Sequence, residues 1–207
     1  MTDSSDDEST HGDNGMHAVM TYRKGRTYKI ESNIDSSARK EVVLDVLTDY
    51  PNHSEVFSSI NSSRVVARRE HEAEVLQEGK WNVLWLSGRF QTLVQMREDM
   101  PRGRVLSHSL KSSIFHAHDG EWRIKSLRSG GCRISHVATS KLKGRLPPGL
   151  GRYLAGSFLS EENKIMIELK AAAERRLPEA APESESKESS HGHTPFGWLL
   201  THFRREW

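Results

Sequence analysis

The chain has 207 residues, with 30 Lys and Arg against 28 Asp and Glu, 35% hydrophobic residues and one cysteine. That length suits one domain with polar tails and leaves no room for two full-sized domains. No run approaches the roughly 18 consecutive apolar residues that a membrane span needs, and the lone Cys132 excludes an internal disulfide. The net charge of +2 hides an uneven distribution: residues 1–20 carry five acids and no Lys or Arg, residues 177–207 carry five acids and three cations, and the body between them holds +9.

Residues 1–20 (with MTDSSDDESTHGDNG) contain few large apolar side chains and are predicted to be a disordered acidic tail. They lack a secretory apolar core, and their acids contradict an organelle transit peptide. A cytoplasmic location is the default expectation, with a mitochondrion or plastid open for a processed chain. From Gly25 to Ile34 the pattern alternates as in a strand, and Asp35 or Ser36 is placed to cap a helix carrying Val42, Val43, Val46 and Leu47. A second short helix is predicted from Pro51, gathering Val56, Phe57 and Ile60.

Six strand-like runs follow, at 64–70, 74–88, 89–99, 104–112, 120–127 and 132–142. Pro101-Arg102-Gly103, Asp119-Gly120 and Ser129-Gly130-Gly131 are predicted to be the turns between them. After Pro147-Pro148 the period changes to about 3.6, and Leu150, Leu154, Phe158, Ile165 and Leu169 form the stripe of a helix running to Arg176. Residues 177–195 are a Pro/Glu/Ser-rich linker predicted to be disordered, and 196–207 form an amphipathic segment. The implied architecture is α+β: a curved antiparallel sheet of about seven strands whose apolar face is covered by one long helix, with two short helices after the first strand. Space between sheet and helix is where a ligand could sit.

The run VLTDYPNHSEVFSSINSSRVV (46–66), with Asp49-Tyr50-Pro51 between the short helices and Arg64-Val65-Val66 opening the next strand, resembles the START-like, helix-grip superfamily. So do Asp119-Gly120-Glu121-Trp122 and LPPGLGRYLAGSFLSEENKIMIELKAAAERR (146–176), and within that superfamily the similarity is to the polyketide cyclase/dehydrase and coenzyme Q-binding branch. It covers roughly residues 25–176. It implies a helix-grip fold and a hydrophobic cavity for a lipid, an isoprenoid quinone or a polyketide-like ligand. Relatives on the coenzyme Q side act as binding or chaperone proteins, whereas cyclase relatives turn over polyketide chains.

Trp81, Trp85, Phe90 and Trp122, facing Leu154, Phe158 and Ile165, are the candidate cavity lining, and packing as ordinary core is the alternative for the same aromatics. Trp81 and Trp85 share a face with Val83 by strand alternation, with Leu84 and Leu86 opposite. His116 and His118 share a strand face at a spacing that zinc sites use, but no third ligand is evident, so no metal is expected and the pair reads as surface histidines beside the Asp119-Gly120 turn. Ser157 lies in a helix without a nucleophile elbow, Cys132 reads as a small apolar residue, and GRLPPGLGR lacks the Lys-Ser/Thr of a phosphate loop. No catalytic residue and no cofactor is therefore assigned, although a bound lipid or quinone is compatible.

Lys141, Lys143, Arg145 and Arg152 alternate with leucines in KLKGRLPPGLGR, a composition that suits an anionic membrane surface or a solvated loop. Phe196, Trp198, Leu199, Leu200, Phe203 and Trp207 in the last segment suit a membrane interface, a partner protein or the domain itself. The body's cations are dispersed and no nucleic-acid-binding motif is present, so no nucleic acid is expected. The sequence points first to a non-catalytic domain that binds a hydrophobic small molecule and presents or transfers it at a membrane. A cyclase or dehydrase using His108, His116 or His118 in the same cavity, and a scaffold acting through the C-terminal helix, are the alternatives; no protein partner is identified.

Overall fold

The structure is a computed structural model that describes residues 6–12, 16–23, 27–83, 86–144 and 150–176. Among the described residues nine antiparallel strands form one sheet: β1 (Asp6–Gly12), β2 (Met16–Arg23), β3 (Thr27–Ser36), β4 (Ile60–Arg68), β5 (Glu72–Val83), β6 (Leu86–Asp99), β7 (Arg104–Ser112), β8 (Phe115–Ser126) and β9 (Cys132–Leu142). Between β3 and β4 lie α1 (Lys40–Thr48), a 3-10 turn (Tyr50–Asn52) and α2 (His53–Val56), and α3 (Leu150–Arg175) follows β9. The strand order is β1-β2-β3-β9-β8-β7-β6-β5-β4. The chain closes on itself where β3 pairs with β9, and α3 packs over β2, β3 and α1 with lighter contact to β5. This is the helix-grip arrangement.

The core follows the period of each element. Tyr28, Ile30 and Ile34 on β3, Ile124 on β8, and Cys132, Ile134 and Ala138 on β9 alternate inward. They meet Ala155, Leu159, Met166, Leu169 and Ala173 of α3. The buried stripe of α3 is thus turned from the predicted one. Leu154, Phe158 and Ile165 flank the core, partly buried, because small alanines and one carboxylate, Glu162, occupy the central face.

The structure departs from sequence expectation at four places. Most of the acidic tail is a hairpin: β2 pairs with β3 along its length, and Met16, Ala18 and Met20 alternate into the core. Three apolar residues at period two suffice to add a strand, although the segment's average composition is polar. Residues 74–88 are not one strand, since Val83 pairs with Leu86 and the chain reverses between them. Asp119-Gly120 is no turn but lies inside β8, opposite His108 and Ser107. Finally, α1 starts at Lys40 with no side-chain cap, and Ser36 and Ser37 instead bind Glu174 near the end of α3, with the Ser36 and Ser37 hydroxyls and the Ser37 N–H donating at 3.0, 3.0 and 2.9 Å.

The motif Asp49-Tyr50-Pro51 anchors the short helices. Tyr50 is buried and donates to Glu98 Oε1 at 2.8 Å, while Arg68 lies 5.6 Å from the centre of its ring. His53, also buried, bonds the Leu47 carbonyl through Nε2 at 3.0 Å and accepts from Gln77 at Nδ1 at 3.1 Å. Burial depresses its pKa and keeps the ring neutral.

The hairpin gives a direct test. Met20→Ala removes a side chain that is 1% exposed, and is expected to cost about 2–4 kcal/mol in urea denaturation. A disordered tail would give no change.

Candidate ligand-binding site

The inner face of the sheet carries a polar cluster surrounded by apolar residues. His136 follows Cys132 and Ile134 on the inward positions of β9, and Glu162 sits on α3 between Leu159 and Met166. Both are buried, with His136 Nδ1 2.8 Å from Glu162 Oε1. Ser32 on β3 donates to the same oxygen at 2.5 Å. Burial works against the Glu162 carboxylate, but His136 and the Ser32 hydrogen bond outweigh it and hold its pKa below the usual range. The carboxylate is therefore charged, and Nδ1 of His136 carries the proton it shares.

Trp122 on β8 stacks on His136, with ring centres 3.9 Å apart and planes 13° from parallel. Gly120 makes room beside it. A Cβ there would lie 2.5 Å from Ser107 Oγ and 3.2 Å from His136 Nε2. His118, next inward on β8, pairs through Nδ1 with Ser140 Oγ at 2.8 Å and stacks on Phe115 at 5.1 Å. Burial, with repulsion from nearby His136, lowers the His118 pKa to about 4 and leaves its ring neutral near pH 7. Among the described residues neither His118 Nε2 nor His136 Nε2 has a hydrogen-bond partner. Two ring edges are thus free to meet a polar group.

Of the residues expected to line the cavity, Trp122 joins this cluster directly. Phe158 lies 4.9 Å from the Tyr28 ring and 6.4 Å from Phe115, with Leu154 and Ile165 on the same flank of α3. Trp81 and Phe90 have inward parity on β5 and β6, each over a cross-strand glycine: the Phe90 ring covers Gly79 and the Trp81 indole covers Gly88. Trp85 lies outside the described residues.

The three candidate histidines separate. His118 points inward, whereas a register shift between Phe115 and Ala117 turns His116 outward, so they do not share a face. His108 is on the outer face, 2.6 Å from Asp119, beside an open depression of about 530 Å³ over β6–β9. Among the described residues no group of three His, Cys, Asp or Glu is arranged to hold a metal. Cys132 is buried, its thiol pushed up to about 11 chiefly by burial and by nearby carboxylates. The Ser157 hydroxyl donates to the Tyr153 carbonyl one turn earlier.

Of the expected membrane-contact residues, Lys141 is exposed at the end of β9, and the Lys143 ammonium donates to the Ser112 carbonyl. Arg145, Phe196, Trp198, Leu199, Phe203 and Trp207 lie outside the described residues. No helix among the described residues is long and apolar enough to cross a membrane. Sequence reasoning passed over His136, Glu162, Ser32 and Ser140. The available signal was their position on otherwise inward-facing strand and helix registers.

Two outcomes follow. Glu162→Leu leaves His136 buried without its partner and is expected to cost about 3–5 kcal/mol, while adding His136→Phe recovers most of that loss, as read by urea denaturation. The His118 ring takes up a proton near 6.5 when unfolded but only near 4 when folded. Stability is therefore full above about pH 6.5 and falls as pH drops through that window, a slope that His118→Asn should flatten.

Residues 36–161 match the family described as polyketide cyclase/dehydrase and lipid transport. No curated protein sequence matches the chain. Among solved structures, the Zhui aromatase/cyclase from Streptomyces sp. R1128 is similar at TM-score 0.64 and 16% identity, covering 72% of this chain and 95% of that one. Human STARD10 aligns at TM-score 0.63 and 16% identity, covering 82% and 74%. A STAR-related lipid transfer protein from Xanthomonas axonopodis gives 0.60 and 11%, covering 81% and 98%. These likenesses are of fold. With a family match spanning more than half its length, the chain belongs to the polyketide cyclase/dehydrase and lipid transport family.

Proposed function

We propose that the protein binds one hydrophobic small molecule between the sheet and α3, with the molecule's polar end against His118 and His136. The observation that carries this is the pair of unpartnered Nε2 edges, among the described residues, in a small polar cluster bordered by apolar side chains. Apolar burial supplies affinity at roughly 25 cal/mol per Å² removed from water. A hydroxyl, phenol or quinone oxygen on the ligand would then supply orientation, because a polar group enters such a site only with a partner. Trp122, Phe158, Leu154, Ile165, Trp81 and Phe90 are the proposed apolar lining. The similarity to lipid transfer proteins favours a lipid as the class, with a prenyl quinone an apolar alternative, and exposed Lys141 favours exchange at an anionic membrane.

A second reading is favoured by the His136–Glu162 pair. A carboxylate that holds the proton on Nδ1 leaves Nε2 as a base, which is the arrangement needed to move a proton on a polyketide-like substrate. The similarity to an aromatase/cyclase agrees with that chemistry.

Native mass spectrometry of the protein purified from its own cells is expected to show one bound apolar molecule, released by organic extraction. Glu162→Gln keeps the shape of the cluster but neutralises the partner of His136, and is expected to weaken rebinding of that molecule about tenfold. Protein that is empty as isolated and takes up neither lipids nor quinones contradicts the binding reading. Chemical conversion of the bound molecule, lost in His136→Asn with affinity kept, would instead select the enzyme.

A further inference from the structure

The sheet parts between β7 and β8. The β7–β8 ladder is its shortest, running from Arg104↔Arg123 to His108↔Asp119 and no further, although β7 continues to Ser112 and β8 begins at Phe115. The two free arms are of equal length, 109–112 and 115–118, joined by the two residues Ser113 and Ile114. A regular hairpin was available to them.

The reason it does not form lies in side-chain direction. A continued ladder would turn Ser112 and Phe115 outward and bring Lys111 and His116 inward. Instead each arm has a bulge. Leu110 is skipped in the register with β6, and His116 in the register with β9. The bulges keep Lys111 and His116 outside and Phe115 inside, and each arm follows its outer neighbour. The tip divides in the same way: the Ser113 N–H donates to the Gln91 carbonyl of β6 at 2.9 Å, and the Lys143 N–H donates to the Ile114 carbonyl at 2.9 Å.

Serine hydroxyls take amides of the parted arm and of the tip. Ser109 Oγ accepts from the His118 N–H at 2.9 Å, and Ser112 Oγ accepts from the Ile114 and Phe115 N–H groups at 3.3 and 3.2 Å. The gap therefore stands without stranding those donors. Its inner rim is Phe115 and His118, next to Phe158, and its outer rim includes Leu110, which is 46% exposed.

We propose that this gap between β7 and β8 is the entrance through which an apolar ligand reaches and leaves the interior. The route presupposes that the interior binds such a ligand, as proposed above. It brings the ligand's polar end past His118 and needs no movement of α3.

The test removes both bulges. Deleting Leu110 and His116 from the full chain leaves Ser109, Ser112, Phe115 and His118 inward and lets the ladder close at Ser112↔Phe115 over a two-residue turn. The probe is an NBD-labelled fatty acid, exchanged between the protein and phosphatidylcholine vesicles. Association and dissociation are expected to slow about tenfold together, with Kd within about twofold of the parent. Unchanged rates in a folded deletion variant overturn the entrance while leaving the binding reading intact. A parent protein that never binds the probe sinks both. Should the variant fail to fold, hydrogen exchange on the parent decides: amides of 109–118 should exchange faster than those of 104–108 and 119–124 and slow on loading, and uniform protection overturns the proposal.

Discussion

The structure depends on a charge buried where a helix meets a sheet. Glu162 occupies the middle of the apolar face of α3, and desolvation there opposes its ionised form. Only one placement of α3 lets its carboxylate reach both Ser32 on β3 and His136 on β9, neighbouring strands inside the sheet. An apolar helix face can slide by a turn at little cost. A buried carboxylate that needs two partners cannot, because any other register strands it. Glu174, bound by Ser36 and Ser37, fixes the C-terminal end of the same helix.

That fixed register gives the interior its two-sided character. One flank of α3, with Phe158 and Ile165, offers apolar surface toward the inner side of the sheet, while the sheet supplies His118, His136 and Ser140. Gly120 is the inward residue between His118 and Trp122 because any Cβ would collide with Ser107. The same polar network that holds the helix leaves the Nε2 edges of His118 and His136 without a hydrogen-bond partner among the described residues. His136 has a structural role, to which the proposed function adds a binding one, and the stability cycle at Glu162 measures the first independently of the second.

Legibility varied with the kind of signal. Strands β7 and β9 were readable at their observed limits, and α3 to within a residue, because each has a strong period and clear punctuation. The Asp119-Gly120 pair misled, since a glycine that looks like a turn serves close packing inside β8. The reversal after Val83 carries no Gly or Pro to announce it. His116 and His118 follow the period-two rule on paper, and a bulge breaks it in the fold. Of the proposed lining, the apolar residues were visible as large side chains, whereas Glu162 and Ser32 were not, because polar residues count as solvent-facing until a partner is known.

By itself the sequence determined the order of elements from β3 onward, the antiparallel meander, the long closing helix and the apolar part of the core. These are properties of hydrophobic period and turn chemistry, which act over neighbouring residues. Only the tertiary structure decided the pairing of β2 with β3, the meeting of Ser32, His136 and Glu162, and the split between β7 and β8. Those features join residues as far as 130 positions apart, or arise from competition between two neighbouring strands for one arm. A local pattern carries no record of either.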